Sequence, residues 1–301
     1  MRRFEIVPEG PFDLETQATH FGGWPRLVDG IVMAFPVEGW NSSAAVVMRQ
    51  GRAAITGDVY GAVEADAERA WQQAVATVSL DVDGAGFVDL GRRDPVIGRL
   101  QAEYHNLRPV LFHSPYEAAC AFVIGHRITI LQTRRIRQRL SEEAGARIEI
   151  DGTAFRAFPD PRALLALEAF PGIAPVKIER LHQVARAALD GTLDRARLRS
   201  LAEPDALTQL RTLPGIGEFF AQGILMRGAG LVDAVTEDDL TPRAIQLLYA
   251  LPERPDRAAV LKRAEGWRPY RMWAVVLLNV WVRSQPLDVR GPRQVRSRRK
   301  C

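Results

Sequence analysis

The chain has 301 residues and a mass of 33.5 kDa, a length that suits two domains or three small ones. At 47% hydrophobic and 25% charged it is an ordinary globular composition, excluding wholesale disorder, and its two cysteines, Cys120 and Cys301, exclude a disulfide scaffold and a four-cysteine zinc or iron–sulfur site within the chain. The net charge is +4 and the basic side is lopsided, 37 arginines against three lysines, which permits a phosphate-bearing partner without demonstrating one.

The first ninety or so residues read as α+β. Strands are expected at 31–35 and 44–48, and Gln50-Gly51 marks a turn before an extended stretch at 52–56. Residues 65–80 carry Ala67, Ala70, Trp71, Ala74, Val75 and Val78 at helical spacing, and 80–90 is a further strand candidate broken by Gly84 and Gly86. The pattern predicts a curved sheet backed by a helix. From Asp94 onward the chain turns helical. Asp94-Pro95 is an N-cap and first-turn pair, and Ser114-Pro115 repeats the device before a long amphipathic stretch over 116–144. Further helices are expected at 161–169, 177–189, 202–212, 219–227, 243–249, 257–265 and 270–283, with short connections throughout. These changes of character divide the chain into 1–93, a sheet domain, 94–288, a helical core of two subdomains, and 289–301, a basic tail expected to be disordered.

The basic N-terminus Met1-Arg2-Arg3-Phe4-Glu5 has no apolar segment behind it, and the longest apolar run, 272–282, is far short of the ~20 residues of a membrane span. A soluble, cytoplasmic protein with no membrane partner is expected.

One motif carries chemistry. Leu213-Pro214-Gly215-Ile216-Gly217 joins two predicted helices. Its glycines allow a tight turn and the close approach of another backbone, where N–H groups at a helix start favour an anion such as a DNA phosphate. A helical corner in a core accounts for this pentapeptide equally well. A weaker copy, Phe170-Pro171-Gly172-Ile173, lies 43 residues earlier, but Ala174-Pro175 replaces its second glycine, so an ordinary corner is expected there. The helix after the second copy ends at Arg227-Gly228, and an acidic cluster, Glu237-Asp238-Asp239, follows, with Asp239 24 residues beyond Gly215; one of its aspartates suits the cap of the next helix.

Taken together, Pro214-Gly215-Ile216-Gly217, Leu225-Met226-Arg227-Gly228 and Asp238-Asp239, matched without inserting a gap, resemble the helix-hairpin-helix superfamily of DNA base-excision glycosylases, and most closely the bacterial 3-methyladenine DNA glycosylase II type. Gly266 to Arg271 and Trp281 are similar to that family's later pocket region, and residues 114–133 to the helix that carries its DNA-inserting residue. The resemblance implies a small TATA-binding-protein-like antiparallel sheet domain followed by a mostly helical glycosylase core. It implies base-excision repair of double-stranded DNA containing damaged bases, by a monomer that flips out an alkylated or deaminated purine. Asp239 is then the catalytic carboxylate, stabilising the oxocarbenium-like state as the base departs. Gly215, Ile216, Gly217 and Arg227 are implied phosphate contacts. Trp281, Phe219, Phe21 and His20 are the implied base pocket, and Arg127 with His126 the wedge and opposite-strand contacts. No resident metal, cofactor or iron–sulfur cluster is expected beyond a monovalent or divalent cation that the hairpin carbonyls are able to hold.

The departures are as informative as the matches. Glycosylases that also nick the backbone place a lysine just after the hairpin; here Glu218 and Phe219 stand there, which implies base removal without strand cleavage. The wedge reads Gly125-His126-Arg127-Ile128-Thr129 rather than with an apolar residue at its tip, leaving Arg127 either to stack into the duplex or to bind phosphate. A tryptophan expected on the helix after the hairpin is Phe219, and a tyrosine four residues later is Gly223. Phe122 and Tyr116 are expected to face the bundle interior. The thinned pocket keeps a second class of function open, a non-catalytic binder of kinked or damaged DNA.

Overall fold

A computed structural model describes residues 1–286 except Gly22, Val28 and Glu237; the basic tail of the sequence reading therefore lies outside the described residues. The chain opens with β1 (Arg2–Ile6), α1 (Leu14–Phe21), β2 (Arg26–Leu27), β3 (Gly30–Pro36), β4 (Ser43–Gln50), β5 (Ile55–Tyr60) and α2 (Glu64–Thr77). The strands form one antiparallel sheet in the order β1-β5-β4-β3-β2. Side chains alternate across it, as the pleat requires. Ile31, Met33 and Phe35 of β3 pack with Val46 and Met48 of β4 against Trp71 and Ala74 of α2. Val32, Ala45 and Val47 point to the opposite face.

That opposite face is covered by a hairpin absent from the sequence reading, β6 (Arg147–Ile150) and β7 (Thr153–Arg156), through Ile148, Ile150 and Phe155. Its signal in the sequence is Asp151-Gly152, whose positive φ values of 49° and 78° suit a two-residue turn between twisted strands.

Two further expectations are corrected. The strand expected to start near 52 starts at Ile55, because the Gly51 amide donates to the Ala54 carbonyl and closes a turn over the intervening residues. Residues 80–90 hold no strand; α3 (Ala85–Arg93) begins there, started by the Asp83 carboxylate, which accepts from the Ala85 amide at 2.7 Å. Phe87 and Leu90 recur at helical spacing and both are buried. α4 (Pro95–Glu103) follows, with Asp94 as its cap as expected.

The stretch 116–144 is two helices, α5 (Pro115–Gly125) and α6 (Ile130–Ala144). The break has a local cause. Arg127 takes a left-handed φ of 60°, and Thr129 with Gln132 forms a reciprocal capping box that starts α6 afresh. Then come α7 (Pro161–Leu165), α8 (Pro175–Leu189), α9 (Arg195–Ser200), α10 (Glu203–Arg211) and α11 (Glu218–Ile224), which runs on as a π-helical turn over Leu225–Ala229. The described residues close with α12 (Leu240–Leu248), α13 (Arg257–Ala264) and α14 (Arg271–Ser284). No described helix is long and apolar enough to cross a membrane.

The helices form two hydrophobic clusters. One gathers α5, α8, α10 and α11 around Tyr116, Leu181, Leu210 and Ile224. The other gathers α3, α4, α12 and α14 around Leu100, Ile245, Trp267 and Trp273. Each large side chain so buried contributes about 2–3 kcal/mol of hydrophobic stabilisation. The α11 segment lies at their seam, giving Ile224 and Leu225 to the first cluster and Met226 to the second.

The sheet is tied to both. Trp40 donates its indole N–H to Ala188 of α8, and the fully buried Arg108 bonds the carbonyls of Pro11, Ser79 and Val82.

Candidate functional site

The hairpin between α10 and α11 is built as the motif suggests. Leu213 and Ile216 are buried and anchor it, and Pro214, Gly215 and Gly217 stand at the surface. The Ile216 amide donates to the Leu213 carbonyl at 3.0 Å, closing a turn in which Gly215 takes φ +85°, a conformation that strains any other residue. A Cβ at Gly215 would also meet the Arg180 side chain at 2.7 Å, whereas a Cβ at Gly217 would meet nothing within 4 Å. The surface at Gly217 is thus open to another molecule. The earlier copy has the same turn, with Gly172 at φ +88° and Ile173 bonded back to Phe170, but Ala174 and Pro175 lead into α8.

A basic rim joins the hairpin to the loop between α5 and α6. Arg180 lies over Gly215, and one turn earlier on α8 Lys177 donates to the carbonyls of Ile124 (2.7 Å) and His126 (2.8 Å). Lys177 thereby satisfies the last carbonyls of α5 and fixes the loop that presents Arg127 to solvent. Partial burial, and then the charges of Arg127, Lys177 and Arg180, push the His126 imidazole below its ordinary pKa. The His126 ring stands edge-on to Phe220 at 5.8 Å. Neither role was legible in the sequence, because Lys177 bonds carbonyls and Arg180 covers a glycine that are distant along the chain.

The acidic cluster divides its labour. Asp238 accepts from the amides of Leu240 (2.8 Å) and Thr241 (2.7 Å) with one oxygen, and from the hydroxyls of Thr236 and Thr241 with the other. It is the carboxylate that starts α12. Asp239, the formal cap residue, makes no side-chain cap bond, and its side chain is 50% exposed. Arg254 donates to its main-chain carbonyl and stands 3.6 Å from its carboxylate. Thr241 also reaches Asn279 at 3.4 Å, which sets the start of α12 against α14 two residues before Trp281. Glu237 lies outside the described residues.

The pocket residues fall into two groups. Phe21 and His20 end α1; His20 packs edge-on against Tyr104, whose hydroxyl pairs with Ser284, and Ser284 donates to the Trp281 carbonyl. Phe21, His20 and the Trp281 region are therefore brought together. Phe219 is not with them. It is exposed on α11 and packs on Phe220 near the loop of His126.

Arg227, implied as a phosphate contact, has its contacts away from the hairpin. Its guanidinium donates to Val110 at 2.9 Å and lies 6.0 Å from the Phe21 ring, with Nε lacking an acceptor. Burial, with Arg283 nearby, lowers its pKa to about 10. Among the described residues, no group of three or more histidine, cysteine, aspartate or glutamate side chains is placed to hold a metal ion.

No protein-family model matches the chain. It is 25% identical over 205 residues to a DNA-3-methyladenine glycosylase of Bacillus subtilis, covering 66% of this chain and 67% of that protein. It is 28% identical over 193 residues to DNA-3-methyladenine glycosylase 2 of Escherichia coli, covering 62% and 63%. The matches thus span about two thirds of these curated relatives. Among solved structures, a 3-methyladenine DNA-glycosylase from Archaeoglobus fulgidus superposes with a TM-score of 0.76 at 19% identity, covering 93% of this chain and 98% of that one. An 8-oxoguanine glycosylase/lyase of Clostridium acetobutylicum bound to double-stranded DNA gives 0.67 at 18% identity, covering 94% and 98%.

Proposed function

Starting from a chain that has the fold of the helix-hairpin-helix DNA glycosylase superfamily and resembles bacterial 3-methyladenine DNA glycosylase II, we propose that it is a monofunctional DNA glycosylase that hydrolyses the N-glycosidic bond of a damaged purine. The observation that carries this reading is the division between the two aspartates. Asp238 is consumed in starting α12, and Asp239 presents a half-exposed carboxylate 3.6 Å from Arg254.

In this reading the hairpin at Gly215 and Gly217, with Arg180, seats a backbone phosphate, and the loop of His126 and Arg127 enters the duplex where the damaged nucleotide leaves it. The base passes to the aromatic side of the seam, toward Phe21 and Trp281. As the bond to the base lengthens, positive charge grows on the sugar, and Asp239 stabilises it while water adds to the anomeric carbon. The base leaves with the bonding electron pair; a deaminated purine takes up the proton shed by the attacking water, whereas a purine already cationic through alkylation departs neutral and that proton passes to solvent.

An amine nucleophile is not part of the scheme. Glu218, just after the hairpin, pairs with Arg211 at 3.2 Å and accepts from Gln222. Its neighbour Phe219 has no nucleophile.

The test is the spectrum of bases released from duplexes carrying alkylated or deaminated purines, with Asp239→Asn run alongside. The variant is expected to bind duplex as the wild type does and to release base at least ~100-fold more slowly. Tight binding to abasic DNA with no release of any base would instead favour a non-catalytic DNA-structure binder.

A further inference from the structure

Phe219 and Gly223 lie four residues apart on α11 and so share one face, and Arg227 follows in the π-helical turn that continues the helix. Phe219 is exposed at one end of this segment, and Arg227 lies by Phe21 at the other. Gly223, between them, has no side chain to give, yet it is buried.

Phe122 of α5 covers it. A Cβ on Gly223 would fall within 2.8 Å of Phe122 Cε2 and closer still to Cζ, so no other residue fits at 223 while the ring is there. Phe122 packs against the helical core, as expected from its helix, but is only partly buried there. It stands in a row of rings, 6.4 Å from Phe112 and 5.2 Å from Phe220, and Phe220 continues to His126. At the other end of the row the Phe112 amide donates to the Arg227 carbonyl at 2.7 Å. The row therefore runs from the wedge loop to the neighbourhood of Phe21.

The geometry points to Phe122 as the wall on which the extruded base stacks, an aromatic surface supplied from α5 where α11 has only Gly223. This rests on the base-flipping reading above and adds to it the surface that holds the extruded base. Phenylalanine has no hydroxyl, so the wall offers stacking and no hydrogen bond. It recognises a planar purine by its face, whatever groups its edge carries.

Three variants test this: Phe122→Leu, Phe122→Ala, and Phe122→Ala combined with Gly223→Tyr, which moves the ring from α5 to α11. Two measurements are made on each. One is single-turnover base release. The other is the affinity ratio between a duplex whose lesion nucleotide carries a 2′-fluorine, which blocks bond cleavage, and a duplex with a tetrahydrofuran abasic site, which has no base to stack. Phe122→Leu is expected to slow release and shrink that ratio by roughly 10- to 100-fold, with abasic-site affinity and melting temperature kept. The double variant is expected to recover at least about tenfold over Phe122→Ala. An unchanged ratio in Phe122→Leu, or a folded double variant no better than Phe122→Ala, overturns the assignment. Wild type that releases no base from any lesion sinks the glycosylase reading instead, and the affinity ratio still decides whether Phe122 is the wall.

Discussion

Asp238 and Asp239 are adjacent and chemically identical, and only their surroundings separate structural from chemical duty. Asp238 spends both oxygens on α12 and two hydroxyls; Asp239 keeps its carboxylate at the surface. The sequence showed that one of the pair should cap the helix. Which one depends on the backbone at 236–241, and spacing alone does not encode it. Lys177 shows the same limit from the other side. Lysine scarcity mattered in the sequence because none follows the hairpin, but the structure gives this lysine a positive task at the end of α5. Lys177→Met removes two hydrogen bonds, each worth about 1 kcal/mol. It is expected to speed amide exchange at His126–Thr129 and to weaken duplex binding about tenfold, and unchanged exchange there would contradict the role.

At the scale of elements, caps and turns were the most legible features. Asp94-Pro95, Ser114-Pro115 and the Pro-Gly hairpin all stand where their local chemistry put them. The break between α5 and α6 was harder to see, since apolar residues continue on both sides of it and only the left-handed Arg127 and the Thr129–Gln132 box interrupt the helix. The two helices are held together by a buried charge. Glu117 of α5 accepts from His113 Nδ1 at 2.7 Å and from Arg137 of α6. Burial alone would raise its pKa, but these two partners outweigh it and hold the carboxyl down to about 2. Because the folded value is depressed, the stabilisation is present above the ordinary value near 4.5 and is lost as pH falls through about 2. Glu117→Gln is expected to cost about 3 kcal/mol in urea unfolding at pH 7, with a deficit that shrinks on acidification. A deficit independent of pH would contradict this.

For the whole molecule, the α+β order and the helical remainder followed from hydrophobic periodicity, because both depend on which face of each element is apolar. The arrangement at the seams did not, since it rests on groups far apart in the chain: Gly223 with Phe122, Lys177 with Ile124, and Glu38 of the β3–β4 loop with Arg195 of α9, at 3.7 Å. Burial raises the Glu38 carboxyl to about 6, and Arg195 only partly opposes this. A raised folded value means that protonation favours the fold. The contribution is complete below about 4.5 and is lost as pH rises through about 6, a change of about 2 kcal/mol. Stability measured against pH in wild type and Glu38→Gln should differ by that step, and parallel curves would refute it. The central claim is that this molecule removes a base by hydrolysis through Asp239 and leaves the strand whole. The most direct measurement follows one lesion-bearing duplex under single-turnover conditions, resolved on a denaturing gel with and without alkali, for wild type and Asp239→Asn. The account predicts wild-type strands that break only after alkali, and variant strands that stay intact although the protein binds them. Breakage without alkali, or full-rate release by Asp239→Asn, would contradict it.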